Sequence, residues 1–350
     1  MDFFSNNNNV DENISIDIKL PWIEKYRPKE ENDILLEPFI RHKINKIIEN
    51  KSIPNMIITG EPGTGKTSTI LFLAKKIYKD FFNDNVLELN ASDDRGLSII
   101  NNTIYPFSKK KINLNKNNND EYPNHKLIIL DEADSITTKA QNLLSNIMSL
   151  NNNTRMIFIC NESSQIIESI QSKCMIIKYP KISYNNLFEK IEKICNLENI
   201  KYTTDSIKTL IFVSDNDIRQ IINNLECLYY TFNELTIENI YKFIDKPKPF
   251  YIEEIINECY NKNYPKTITI VKDLYNKGYT PNDILLTFMK YLFEYDNKLE
   301  EEIKLNIYKI ISYIYMRINN GVDTLLQLCG CIAKIYLYIN KLDENIEFNI

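Results

Sequence analysis

The run Gly60-Glu61-Pro62-Gly63-Thr64-Gly65-Lys66-Thr67 places three glycines, one lysine and two hydroxyls in eight residues. Glycines let successive backbone N–H groups converge on one anion. A helix starting behind them adds the positive end of its dipole. Lys66 supplies a cation to the β- and γ-phosphates, Thr67 offers a hydroxyl to Mg²⁺, and Ser68 carries the loop into the helix. The chemistry is capture of a nucleoside triphosphate. A second group follows, Leu127-Ile128-Ile129-Leu130-Asp131-Glu132. Asp131 is suited to hold Mg²⁺, commonly through water, and Glu132 to polarise an attacking water. Proteins that pass phosphate to another substrate have no need of that second acid, so the pair points to hydrolysis. Asn161 ends a further apolar run and can orient the water or touch the γ-phosphate. Arg219, deep in the second half, reads either as a solvated helix cation or as a lid cation reaching back over the nucleotide.

These residues need a scaffold that delivers strand ends to one crevice. Met56–Thr59, Val86–Leu89, Leu127–Leu130 and Met156–Ile159 are short, nearly continuous apolar runs. Between them, Ser68–Tyr78 carries Leu71, Ala74, Ile77 and Tyr78 at helical spacing. The expected fold class is α/β: a parallel sheet covered on both faces, followed by helical material. Adjacent strands of such a sheet bring their C-terminal residues together. After about residue 180 the strands stop. Ile303, Ile307, Ile310, Ile314 and Ile318 then form one helical stripe, and Pro247 and Pro249 break the helical half. The apolar stripes beyond about residue 250 exceed what one helical hairpin can bury, which implies a partner surface. The segmentation is an Asn-rich tail over 1–19, a nucleotide-binding core over 20–180, a small helical domain over 181–245 and a helical domain over 246–350. The tail reads as disordered, and the Lys109–Lys126 stretch as a solvated loop or a phosphate-contacting one.

Composition narrows the classes further. Hydrophobic residues make up 43% and charged residues 25% of 350, enough for a sizeable core. A net charge of −5 argues against a protein that coats nucleic acid by itself. Two histidines and seven cysteines without a Cys-x-x-Cys pair exclude a zinc ribbon or thioredoxin-like motif. The cysteines read as reduced thiols of a cytosolic or nuclear protein. No signal peptide is legible, and the apolar stretch Leu325–Ile339 is too short to cross a bilayer.

Pro21-Trp22-Ile23-Glu24-Lys25-Tyr26-Arg27-Pro28, the glycine-rich loop, and Leu87-Glu88-Leu89-Asn90-Ala91-Ser92-Asp93-Asp94-Arg95-Gly96 occur in an order that resembles the small subunits of replication factor C. These are AAA+ clamp loaders of eukaryotes and archaea. Asp131-Glu132-Ala133-Asp134-Ser135, Ser214–Leu225 and Gly321-Val322-Asp323-Thr324-Leu325-Leu326-Gln327 extend the resemblance to roughly residues 20–340. Within the family the chain looks most like subunit 2. The resemblance implies a RecA-like core, a helical lid and a C-terminal collar. It implies a nuclear five-subunit ring that binds ATP and Mg²⁺, opens a sliding clamp and places it on primer–template DNA. Asn161 becomes sensor 1 and Arg219 sensor 2, while Ile23, Tyr26 and Leu35 line an adenine slot. Arg95 and Lys139 are candidates for DNA contact.

Two departures stand out. Lys173, in Ser172-Lys173-Cys174, occupies the place of the family's trans-acting arginine finger. Lysine keeps the charge and forgoes the planar two-pronged geometry. Ser145-Asn146 stands where the family has paired arginines after Gln141. The competing readings are an ATPase motor subunit, an ATP-binding scaffold subunit of the same ring with little turnover, and a small-molecule P-loop kinase. The long helices after Pro249 serve a kinase poorly. The letters Asp-Glu-Ala-Asp also suggest a helicase, but a second RecA-like domain is missing.

Overall fold

The computed structural model describes residues 20–28, 33–92, 97–110, 112, 123–294 and 299–340. The Asn-rich tail, Arg95 and most of the Lys109–Lys126 stretch lie outside the described residues. The chain divides into two compact units, one ending at Leu235 and one starting at Thr236; the latter point lies one short helix before the sequence-based break at 245/246.

The first unit is built on five parallel strands: β1 (Met56–Gly60), β2 (Val86–Asn90), β3 (Lys126–Asp131), β4 (Thr154–Cys160) and β5 (Met175–Tyr179). Their order is β2-β3-β4-β1-β5. Strand alternation sorts the apolar residues onto two faces. Ile58, Ile129, Ile157 and Ile159 pack with Ile40, Ile44, Leu73 and Ile77 from the helices Pro38–Asn50 and Lys66–Tyr78. Ile57, Ile128, Leu130 and Phe158 pack with Ala140, Leu144 and Ile147 of the helix Thr138–Leu150. Burial on both faces is why β1, β3 and β4 read as unbroken apolar runs. The strand β5 carries no such signal. It is an edge strand paired only with β1, and its Ile176 and Lys178 are exposed. A lysine on an edge strand discourages pairing with a further strand and also blurs the apolar pattern.

Two short strands do recur after residue 180, contrary to expectation. Lys201–Tyr202 and Glu234–Leu235 pair in parallel between the helices Tyr184–Leu197, Thr204–Val213 and Ile218–Phe232. Two residues are too few to show a period.

The second unit is helical throughout its described residues, with Pro249 at the start of the helix Pro249–Tyr260. The isoleucine stripe of the helix Glu301–Asn319 does not face a partner. Ile307, Ile310, Ile314 and Ile318 are buried among Ile255, Val271, Phe288, Leu328 and Ile332 of the same unit. Five helices share the burial that one hairpin could not supply. Apolar residues left outside include Phe250, Phe293, Leu305, Met316 and Leu326. All seven cysteines are free thiols, and no described helix is long and apolar enough to cross a membrane.

At the start of β3, His125 is buried, its Nε2 accepting the Ile53 N–H at 3.2 Å while its carbonyl accepts the Tyr78 hydroxyl at 2.9 Å. Burial, assisted by Arg155, holds its pKa down at about 4, from an ordinary value of 6.5. The folded state therefore resists a proton that the unfolded chain accepts. The stabilisation is complete above pH 6.5 and is lost as pH falls toward 4. At 1.36 kcal/mol per unit it amounts to about 3 kcal/mol. Urea midpoints measured from pH 7.5 to 4.5 are expected to fall more steeply in the wild type than in His125→Gln; equal slopes would remove His125 from the account.

Candidate functional site

Gly60 ends β1 and pairs with Tyr179 of β5. A Cβ there would lie 2.5 Å from the Tyr179 carbonyl oxygen, so only glycine fits. Gly63 has φ +73°, and a Cβ would meet the Asp217 carboxylate at 2.0 Å. Gly65, at φ +83°, is the N-cap of the helix Lys66–Tyr78. The glycines thus turn the chain sharply from strand to helix, as phosphate capture requires. Pro62 stiffens the loop by fixing its own φ. Thr64 braces it by donating to the Glu61 carbonyl at 2.9 Å, and the Glu61 carboxylate pairs at the surface with Lys181.

Lys66 is buried, and its ammonium has one acceptor for each of its three protons. These are the carbonyls of Gly60 (2.7 Å) and Glu61 (2.8 Å) and the Asn161 side-chain oxygen (3.1 Å). Burial lowers its pKa; Asp131 opposes that shift and Arg219 adds to it. Arg219 therefore adds to the positive field at Lys66, as suits a site for several negative oxygens.

The strand order explains why Asn161 is there. Strand β4 lies between β1 and β3, so its end falls between the lysine and the acids. Two bonds fix the Asn161 backbone: its N–H donates to Asp134 at 3.1 Å and its carbonyl accepts the Thr59 hydroxyl at 2.8 Å. Asp134, the last of the four Asp-Glu-Ala-Asp letters, thus has a structural task. Its place in that motif gives no hint of this partner, and Thr59 belongs to no motif that sequence reasoning could single out.

The Thr67 hydroxyl donates to Asp131 Oδ2 at 2.8 Å, and the Glu132 N–H donates to Asp131 Oδ1 at 2.9 Å. A hydroxyl and a carboxylate in contact form a hard-oxygen donor pair suited to Mg²⁺. Among the described residues there is no group of three His, Cys, Asp or Glu that could hold a metal alone. An ion here must draw its other ligands from phosphate and water. Glu132 takes a left-handed backbone, φ 52° and ψ 41°, and its side chain is exposed. That conformation costs a residue with a Cβ about 1–2 kcal/mol and places the second acid outside the line of the strand.

A cavity of about 380 Å³ opens beside the loop. Ile23, Tyr26 and Leu35 line it together with Gly63, Thr64, Gly65, Ser68 and Arg219. Ile182, Lys190, Ile218 and Ile222 also line it; Ile182 and Lys190 belong to none of the motifs read from sequence. Asp217 caps the helix Ile218–Phe232 by accepting the Arg219 N–H at 2.8 Å, and its contact with Gly63 seats that helix start against the loop. The structure thus brings Lys66, Thr67, Asp131, Glu132 and Asn161 to one crevice, with Ile23, Tyr26, Leu35 and Arg219 around the adjoining cavity. Lys173 is not part of this group. Its ammonium donates to Ser145 O and Oγ, each at 2.9 Å, and to Ser149 Oγ at 2.7 Å. Ser145 is thereby a hydrogen-bond partner of Lys173, so the two positions singled out as departures lie in contact.

A parallel sheet of this order, with a phosphate loop after β1, an acidic pair after β3 and an amide after β4, defines an ATPase of the AAA+ class. Residues 56–181 match the model of the ATPase family associated with various cellular activities (AAA), and residues 247–334 match that of the replication factor C C-terminal domain. Replication factor C subunit 4 of Saccharomyces cerevisiae is 37% identical over 329 residues, 93% of this chain and 99% of that one. Replication factor C subunit 2 of Arabidopsis thaliana is 36% identical, covering 90% and 92%. The chain belongs to the replication factor C small-subunit family. The likeness to subunit 2 expected from sequence extends equally to chains named subunit 4. In fold alone, the RuvB Holliday junction branch migration motor of Thermotoga maritima matches at a TM-score of 0.50 and 12% identity, over 67% of this chain and 78% of that one.

Proposed function

We propose that the chain is an ATP-hydrolysing subunit of a hetero-pentameric clamp loader that places a sliding clamp on primer–template DNA in the nucleus. The observation that carries this is the intact set Lys66, Thr67, Asp131, Glu132 and Asn161 at one crevice of a chain similar to replication factor C subunits along nearly its whole length. Its roles are divided. The loop from Gly60 to Ser68 and Lys66 bind the phosphates, and Ile23, Tyr26 and Leu35 hold the adenine. Thr67 and Asp131 would hold Mg²⁺, which would supply charge neutralisation to the phosphates. Glu132 takes the proton of the attacking water, Asn161 orients that water, and Arg219 senses the γ-phosphate. A scaffold subunit would need no Glu132, so its presence favours the motor. Residues from 246 onward act as the collar, with the exposed Leu305, Met316 and Leu326 available to neighbouring subunits.

Lys173 has the opposite duty, toward the neighbour's ATP. Ser145 and Ser149 hold its single cation, standing in for the geometry that arginine carries in its own plane. The test is reconstitution with four partner subunits and a clamp, followed by DNA-stimulated ATPase measurement. Co-purification and turnover support the reading; a chain that stays monomeric in their presence would end it. In that assembly Lys173→Ala is expected to slow the neighbour's turnover by at least tenfold, since a finger cation contributes about 10³–10⁵. ATP affinity of this chain's own site is expected to hold. A Lys173→Ala ring that matches wild type would give Lys173 a purely structural role.

A further inference from the structure

Tyr26 lines the cavity, and its hydroxyl, like the Lys25 ammonium, donates a hydrogen bond to Glu198 Oε1. Glu198 follows the helix Tyr184–Leu197 and is not among the cavity-lining residues. Its side chain is only 15% exposed, whereas that of Lys25 is 50% exposed. An exposed ion pair contributes little, so Tyr26 is the partner that matters. Burial raises the Tyr26 pKa, and Glu198 raises it further, so the hydroxyl remains a donor at neutral pH. The same segment is pinned a second time. The Trp22 N–H donates to Glu226 at 2.9 Å, and its indole packs against Tyr229 at 5.3 Å, both on the helix Ile218–Phe232. Two acids, Glu198 just beyond one helix and Glu226 within another, therefore hold a short segment from which Ile23 and Tyr26 line the cavity.

We infer that Glu198 is a positioning residue for nucleotide binding: it fixes Tyr26 as a wall on the base side of the cavity without touching the nucleotide. This rests on reading the cavity as the ATP site. An untethered tyrosine must be ordered each time the nucleotide binds. Ordering one such side chain costs enough to weaken binding about three- to tenfold. The phosphate end is separate, because Lys66 and the loop take no part in the tether.

Calorimetric titration of the full-length chain tests this with ATP, ADP and inorganic tripolyphosphate. Glu198→Ala is expected to weaken ATP and ADP by the same three- to tenfold factor and to leave tripolyphosphate unchanged. Glu198→Gln, whose amide oxygen still accepts from Tyr26, restores wild-type binding. Tyr26→Phe keeps the ring, deletes the hydroxyl and repeats the loss; Lys25→Ala does not. In the assembled ATPase, KM rises by the same factor and kcat holds. Trp22 is the sole tryptophan, so unchanged emission shows that the segment still docks. If emission shifts in Glu198→Ala, Tyr26→Phe decides. Wild-type ATP affinity in both variants, or an equal loss for tripolyphosphate, overturns the inference. A wild-type chain that binds tripolyphosphate but not ATP overturns the reading of the cavity on which it rests.

Discussion

Lys66→Ala is expected to lower ATP affinity by about a hundredfold, equivalent to about 3 kcal/mol, while leaving the fold intact. The affinity falls because a buried cation loses less strength to water than an exposed one, and because Lys66 is the cation anchored beside the loop by Gly60, Glu61 and Asn161. The fold survives because this lysine is itself costly to bury, as its lowered pKa records. Removing it relieves that cost and offsets part of the three lost hydrogen bonds. Lys66→Met, which also preserves the volume, is the control for packing. Calorimetry measures the affinity and thermal unfolding the stability. An ATP affinity equal to wild type would remove the phosphate-loop assignment.

Glu132→Gln is expected to leave ATP binding unchanged and to cut turnover by about 10²–10⁴, the usual contribution of a positioned general base. The substitution alters one atom and removes a proton acceptor. Glutamine is nearly the same shape, so the left-handed backbone at this position bears no new steric load. The side chain is exposed, and Glu132 braces Asp131 through its backbone N–H, which the substitution keeps. Stability should therefore not move. Single-turnover hydrolysis in the assembled ring separates the two readings of this subunit. A large loss in Glu132→Gln marks a motor. Turnover equal to wild type would mean either that this site hydrolyses nothing or that another group serves as base.

The two substitutions divide binding from chemistry, and both fall on residues that the amino-acid sequence alone singles out. Their types are dictated by local chemistry. Three glycines, a lysine and a closing threonine at this spacing in eight residues have few other uses, and an apolar run ending in Asp131 and Glu132 is readable for the same reason. Strands β1, β3 and β4 are legible because burial on both faces leaves few polar residues inside them, and the edge strand β2 because its apolar residues Val86, Leu87 and Leu89 are broken only by Glu88. The fifth, β5, is not, because an edge strand must carry exposed residues such as Lys178. The isoleucine stripe of the helix Glu301–Asn319 is legible as a stripe but not as to what covers it. A period of 3.6 shows that one face is buried without showing against which neighbour. The structure supplies the neighbours from the same unit.

The sequence by itself determined the family, the parallel α/β core, the phosphate loop and the acidic pair, since each is encoded within continuous runs of residues. Tertiary structure alone decided which distant residues share a site. The order β2-β3-β4-β1-β5 puts Asn161 against Lys66 across 95 residues of chain. Asp134 and Thr59 clamp Asn161, Asp217 meets Gly63, Glu198 holds Tyr26, and Ser145 and Ser149 hold Lys173. An isolated Asp, Glu or Ser has many satisfactory partners in water and in a folded chain. Only the packing of strands and helices brings one of those partners within about 3 Å, and no local pattern records which.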